Sequence, residues 1–215
     1  MEASHSPFIV DRLAFVANCI ELSKKEKPAI DEPANGNRKA YIFKNGDSPI
    51  MVHQMTVADL KPEDYKKFTE HYVDFITEVS KDEGGKLKLT VVEQIDGKDV
   101  IHQRMDPGIM FVSARSMIVQ QYHVPEAVGH TFICSSKESG ELEKKYANLI
   151  GKDVISTLEV NYWNFKPSED GNGTHVTHVN SSRPNGSIPD MAVSKMTKKQ
   201  AEAIITVSNV VRARK

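Results

Sequence analysis

Eight histidines and two cysteines are the side chains of this 215-residue chain best suited to reactive or metal chemistry, so their spacing is read first. A zinc site draws three or four such ligands together, often from helical i, i+4 pairs or from closely spaced cysteines. His175 and His178 stand three apart in a segment that reads as a strand, which sends them to opposite faces. His102, His123 and His130 have no helical partner, and no metal is expected. Cys134 lies in the apolar run HTFICS, where a thiol behaves as a small hydrophobe. Neither it nor Cys19 has a companion at metal or framework spacing, which fits a reducing compartment. There is no G-x-S-x-G and no glycine-rich phosphate loop.

A different chemistry is written in the strand around residues 115–122. On a regular strand Arg115, Met117, Val119 and Gln121 share one face, and Ser116, Ile118, Gln120 and Tyr122 the other. The first face joins apolar area to two hydrogen-bonding ends, as a pocket for a lipid-like molecule requires. The competing reading pairs Arg115 with a surface acid and leaves Gln121 in water. Trp163, the only tryptophan, sits in the aromatic stretch NYWNF and suits pocket lining and core packing equally.

The elements that must hold these residues alternate between two periods. Residues 7–22 repeat apolar side chains at helical spacing, as do residues 61–81 through Tyr65, Phe68, Tyr72, Phe75, Ile76 and Val79. Strands are expected over 39–44, 50–57, 87–95, 100–105, 110–124, 130–135, 154–165 and 175–180, with turns at Asn45-Gly46-Asp47, Asp96-Gly97 and 170–173. Residues 28–38, with their proline, asparagine and glycine, read as a loop. A last helix begins at Ser187-Ile188-Pro189-Asp190, where a hydroxyl, an early proline and an acid suit a helix N-terminus. Its apolar line is Ile188, Ala192, Met196, Ala203, Val207 and Val210, and a second capping pattern predicts a kink near Thr197. Short connections imply antiparallel pairing in an α+β protein, one domain over 1–215 with its core at about 8–212.

Formal net charge is −1 and the pI about 6.7, so no global field favours nucleic acid, and none is expected as a partner. No apolar run approaches the roughly 18 residues of a spanning helix, and a cytoplasmic location is expected. Three N-x-S/T triplets, at Asn172, Asn180 and Asn185, are therefore read as turn and strand residues.

Two segments carry a family resemblance. Phe111-Val112-Ser113-Ala114-Arg115-Ser116-Met117 resembles the START (steroidogenic-acute-regulatory-related lipid-transfer) pattern that opens a long central strand. Gly186-Ser187-Ile188-Pro189 is similar to the family's approach to its closing helix, and Thr197-Lys198-Lys199-Gln200-Ala201 to a later part of that helix. Ser116 and Gln121 stand where the family carries an aspartate and, often, a basic residue.

The resemblance implies a helix-grip fold, a curved antiparallel sheet around an apolar cavity closed by the C-terminal helix. It also implies a carrier of one sterol, carotenoid or phospholipid that touches membranes transiently. Such a carrier has no catalytic residue and no cofactor beyond its lipid. Arg115, Met117, Val119, Gln121, Trp163, Ile188, Ala192, Met196, Ala203 and Val207 are the expected ligand-binding set. Two further roles remain open: a non-transferring lipid or pigment buffer, and a helix-grip enzyme of cyclase or hydrolase type using Glu159 and His178 as acid or base. Residues 188–211 are expected to form a gate with 140–151, which resembles an omega loop by the cavity mouth. Lys195, Lys198, Lys199, Arg212, Arg214 and Lys215 would draw that end to an anionic bilayer.

Overall fold

The computed structural model describes residues 6–82, 86–108, 112–137, 140–186 and 199–215. Helix α1 (Pro7–Ser23) is followed by strands β1 (Ile30–Glu32), β2 (Arg38–Asn45) and β3 (Ser48–Val57). A 3-10 turn (Pro62–Tyr65) then leads into α2 (Lys66–Glu70) and α3 (Tyr72–Asp82). Strands β4 (Leu87–Ile95), β5 (Lys98–Met105), β6 (Arg115–Val124) and β7 (His130–Ser135) come next. Two short helices, α4 (Gly140–Lys145) and α5 (Ala147–Ile150), precede β8 (Val154–Ile155), β9 (Thr157–Pro167), β10 (Thr174–Arg183) and a C-terminal helix α6 (Ala203–Ala213). The strands form one sheet in the order β1-β2-β3-β10-β9-β7-β6-β5-β4, antiparallel throughout, with β8 alone added parallel to β6.

Side-chain alternation gives this sheet two buried faces. The inner face carries Met55, Val57, Met117, Val119, Phe132, Cys134, Trp163, Phe165 and Val176, packed with Tyr65, Phe68, Tyr72 and Phe75 of the 3-10 turn, α2 and α3 and with Ile204, Val207 and Val211 of α6. Val52, Tyr122, Ile133, Val160, Tyr162 and Val179 look outward onto Phe8, Ile9, Val16 and Cys19 of α1. The two cysteines are therefore buried on opposite faces as free thiols.

Several expectations shift. Within the expected loop, Ile30–Glu32 adds an edge strand to β2. Gly36 in that loop has φ +62°, and a Cβ there would meet the Thr56 carbonyl oxygen at 1.9 Å, so only glycine lets the loop lie on β3. The strand expected over 154–165 breaks at Ser156, because Val154 and Ser156 hydrogen-bond back to Ala114 and Ser116 before the chain crosses to β10. Residues 112–114 of the strand expected over 110–124 precede β6. The helix begun at Ser187 and its kink near Thr197 fall on residues 187–198, outside those described.

Candidate functional site

The register lines up the inner-face side chains of neighbouring strands. His178 on β10 lies opposite His53 on β3 and Trp163 on β9. One row along the strands, Asn161 lies opposite Cys134, and Cys134 opposite Gln121 on β6. Phe68 of α2 meets Trp163, Phe165 and Phe132 with ring centroids 5.2, 5.9 and 6.4 Å away, and Tyr65 stacks on Phe165 at 4.4 Å. Each such pair adds about 0.5–1.5 kcal/mol beyond its buried area, giving one end of the inner face a rigid aromatic lining. Tyr65 also bonds Ser208 of α6 through its hydroxyl, at 2.7 Å.

Within this lining lies a chain of neutral polar groups. Asn161 donates through Nδ2 to the Tyr72 hydroxyl (2.9 Å), which points its Oδ1 at His178 Nε2 (2.9 Å). With that assignment His178 donates from Nε2, and its Nδ1 is a bare acceptor. The His178 ring stacks on Trp163 with centroids 3.9 Å apart. His53 Nε2 accepts from Arg38 Nε (3.4 Å), which leaves the His53 proton on Nδ1. Burial, then the Arg38 charge, pushes His53 down to about 3; burial, then His53, holds His178 well below the ordinary imidazole value. Both rings are therefore neutral near pH 7. His53 Nδ1, His178 Nδ1, Trp163 Nε1 and Gln121 Oε1 are buried with no hydrogen-bond partner among the described residues.

The expected residues divide. Met117, Val119, Gln121 and Trp163 are buried on the inner face at 4, 1, 4 and 2% exposure. Ala203 and Val207 pack there too, although the buried line of α6 runs through Ile204, Val207, Ser208 and Val211, not through Ala203 and Val210. Arg115 is buried, and its guanidinium donates to the carbonyls of Ser113 and Asn185, tying β6 to the turn after β10. Ile188, Ala192 and Met196 lie outside the described residues.

Arg38 had no local signal, since it ends an asparagine- and glycine-rich loop where arginine usually meets water. It is instead 4% exposed and reaches Glu32 (3.0 Å), Glu202 (2.6 Å) and the Ala201 carbonyl (3.0 Å). That carbonyl belongs to the turn just before α6, so Arg38 fastens the start of the helix to β2. At the far end Arg212 pairs with Asp59, Arg214 with Glu78 and Lys215 with Asp64. The bilayer attraction expected of these three is therefore met by acids of the same chain. Lys195 and Lys198 lie outside the described residues.

The expected gate also changes. Residues 140–151 are two helices, and Leu142, Tyr146 and Ile150 pack on Val100 and Ile118, on the outer face. Among the described residues they therefore lie across the sheet from α6, because Ile118 points away from Met117 and Val119.

Glu159, the expected acid or base, lies at the irregularity between β9 and β10 and pairs with Arg12 of α1 (3.4 Å), Lys137 (2.9 Å) and Arg183. Burial raises its pKa, but Arg183 and Lys137 outweigh burial and hold the carboxyl below its usual range. Burial pushes the Cys134 thiol well up, against a nucleophilic role. Among the described residues no three His, Cys, Asp or Glu side chains converge as a metal site, and no helix is long and apolar enough to cross a membrane.

No family model matches the sequence, and no curated protein matches it. Solved structures do. Human STARD10 aligns over 98% of this chain and 82% of its own, with TM-score 0.69 at 15% identity. Human StAR-related lipid transfer protein 5 aligns over 96% and 97%, with TM-score 0.68 at 12% identity. The human StarD13 (DLC2) lipid transfer and protein localization domain aligns over 96% and 98%, with TM-score 0.59 at 14% identity. With this sheet order and its C-terminal helix against the inner face, the chain has the START-like helix-grip fold.

Proposed function

We propose that the chain binds one apolar, lipid-like molecule (a sterol, carotenoid or phospholipid) between the inner sheet face and the C-terminal helix, and carries it between membranes. The observation that carries this reading is the inner face itself: a continuous aliphatic and aromatic surface holding a few buried polar atoms that the described residues do not satisfy. Such atoms cost about 1–3 kcal/mol each when left unpaired. A polar end of a bound molecule offsets that cost while its apolar body gains roughly 25 cal/mol per Å² buried. The fold shared with two human structures described as lipid transfer proteins or domains supports the same reading. Gln121, Met117, Val119, Trp163, Ala203 and Val207 are its contact residues, with Arg115 holding the turn beside them. The free thiols fit a cytoplasmic setting.

We disfavour the enzyme reading. Glu159 is occupied by three cations, and no hydrogen bond links it to His178 among the described residues. The test is native mass spectrometry of the purified protein, with extraction and a thermal-shift panel of sterols, carotenoids and phospholipids. About one retained molecule per chain, or a raised melting temperature with one class, is expected. Neither retention nor stabilisation by any class would end the carrier reading.

A further inference from the structure

His53 and His178 are direct cross-strand neighbours, so their Cβ atoms stand about 4.5–5.5 Å apart on one face. Their other ring nitrogens are already used, by Arg38 and Asn161, and those bonds fix opposite characters on the remaining atoms. His53 Nδ1 carries a proton to give; His178 Nδ1 has a lone pair to receive one. Trp163, on the residue opposite His178, stacks on the His178 ring at 3.9 Å and forms the apolar wall beside these two atoms. The rings are 0, 3 and 2% exposed. Among the described residues the cation beside them is Arg38, which is matched by Glu32 and Glu202. Gln121 stands on the fourth strand from His53, roughly 19 Å away at about 4.8 Å per strand, so it cannot serve the same small group.

We infer that His53 and His178, walled by Trp163, form the site for one uncharged hydroxyl at the end of the bound molecule, which makes the ligand class an apolar alcohol. This inference rests on the carrier reading and narrows it. A hydroxyl accepts from His53 and donates to His178 in one place. A carbonyl can only accept, leaving His178 Nδ1 buried and unpaired. Among the described residues a phosphate finds no unmatched cation there and an ammonium no unmatched anion, so each would bring a buried charge at high cost. Both imidazoles are neutral, as this pairing needs.

The test uses matched pairs that differ only in oxygen, cholesterol against 5-cholestene and zeaxanthin against β-carotene, with phosphatidylcholine as the charged-head probe. The alcohol of at least one pair should bind about tenfold or more tighter than its hydrocarbon, the worth of one to two neutral hydrogen bonds. His178→Leu should remove that preference, so that the alcohol and the hydrocarbon of the pair bind alike. Should the variant not fold, ¹⁵N-histidine spectra of the wild-type protein replace it: the alcohol, and not the hydrocarbon, should shift the His178 Nδ1 acceptor signal. Equal binding within both pairs means that the site holds only water and overturns the inference while the carrier reading stands. The same follows if phosphatidylcholine alone binds. If no probe binds and none is retained on purification, the carrier reading itself fails, and the alcohol site with it.

Discussion

Two places on the sheet, one on each face, bury polar groups in opposite ways. On the outer side, at the end of β9, the groups are charged, and Arg12, Lys137 and Arg183 surround Glu159. Across the middle of the inner face they are neutral: His53, His178, Trp163, Asn161 and Gln121. Unpartnered atoms by themselves do not separate the two, since Arg12 Nε, Arg183 Nε and Ser181 Oγ on the outer side also lack partners among the described residues. Charge does. An ion-paired cluster fixes one element to another, here α1 to the sheet, and needs nothing more to be stable. A row of neutral donors and acceptors facing an aromatic wall costs stability until something completes it. The first arrangement belongs to the fold, and the second is where we propose that the ligand binds.

The largest effect expected of this contrast is on acid stability. His53 titrates at about 3 when folded and at its ordinary 6.5 when unfolded, because burial and Arg38 exclude the proton. A folded-state pKa below the unfolded one means that the contribution is intact above pH 6.5 and is lost as pH falls from 6.5 toward 3. The loss should total about 4–5 kcal/mol for His53, with His178 adding to it. Urea titrations from pH 7 to 4 should show most of this decline, and His53→Asn should flatten it; an unchanged slope would place His53 in water. Glu159, held low by its cations, should begin to lose its contribution only below its ordinary value of 4.5. The two places should therefore begin to fail at different pH, the inner one first.

Next in size, Glu159→Gln leaves three cations around a neutral amide. It should cost about 2–3 kcal/mol by chemical denaturation, less than a fully buried pair because Lys137 and Arg183 reach solvent. Ligand preference should not change; if it does, the outer cluster is coupled to the pocket. Cutting the helix fastening by Arg38→Met should cost about 1–3 kcal/mol, since Glu202 can turn to solvent but the Ala201 carbonyl loses its donor. It should also raise the His53 pKa toward its ordinary value, measurable by NMR titration. The smallest expected effect is that of Gln121→Leu. Stability should stay within about 1 kcal/mol, and selectivity among head groups should shift by tenfold at most, because one neutral hydrogen bond is at stake.

Much of the frame was legible from periodicity, because half-buried strands and amphipathic helices write their faces into the chain. Met117, Val119 and Gln121 could be placed on one face from alternation alone. The hydroxyl site could not, since its parts sit at 53, 163 and 178 and meet only through the order β3-β10-β9, which no local pattern specifies. His175 and His178 were rightly separated onto two faces, yet the partner of His178 proved to be a residue more than a hundred positions away. Where the Arg115 guanidinium ends was not legible, because strand parity is blind to the end of a long side chain. Residues 140–151 misled for a related reason: apolar residues between lysines suit either face of a sheet, and only the packing of Ile150 on Ile118 decides it. The basic C-terminus looked free because Asp59, Asp64 and Glu78 are distant in sequence.

The single tryptophan gives the most direct test, since Trp163 lies on the inner face at the proposed site. Emission from Trp163 should be followed while a fluorescent polyene alcohol such as dehydroergosterol is added. Saturable energy transfer at about one ligand per chain, displaced by a non-fluorescent alcohol, is the expected result. A ligand shown by mass spectrometry to be bound, with Trp163 emission unchanged, would put the molecule elsewhere and contradict a carrier that uses the inner face.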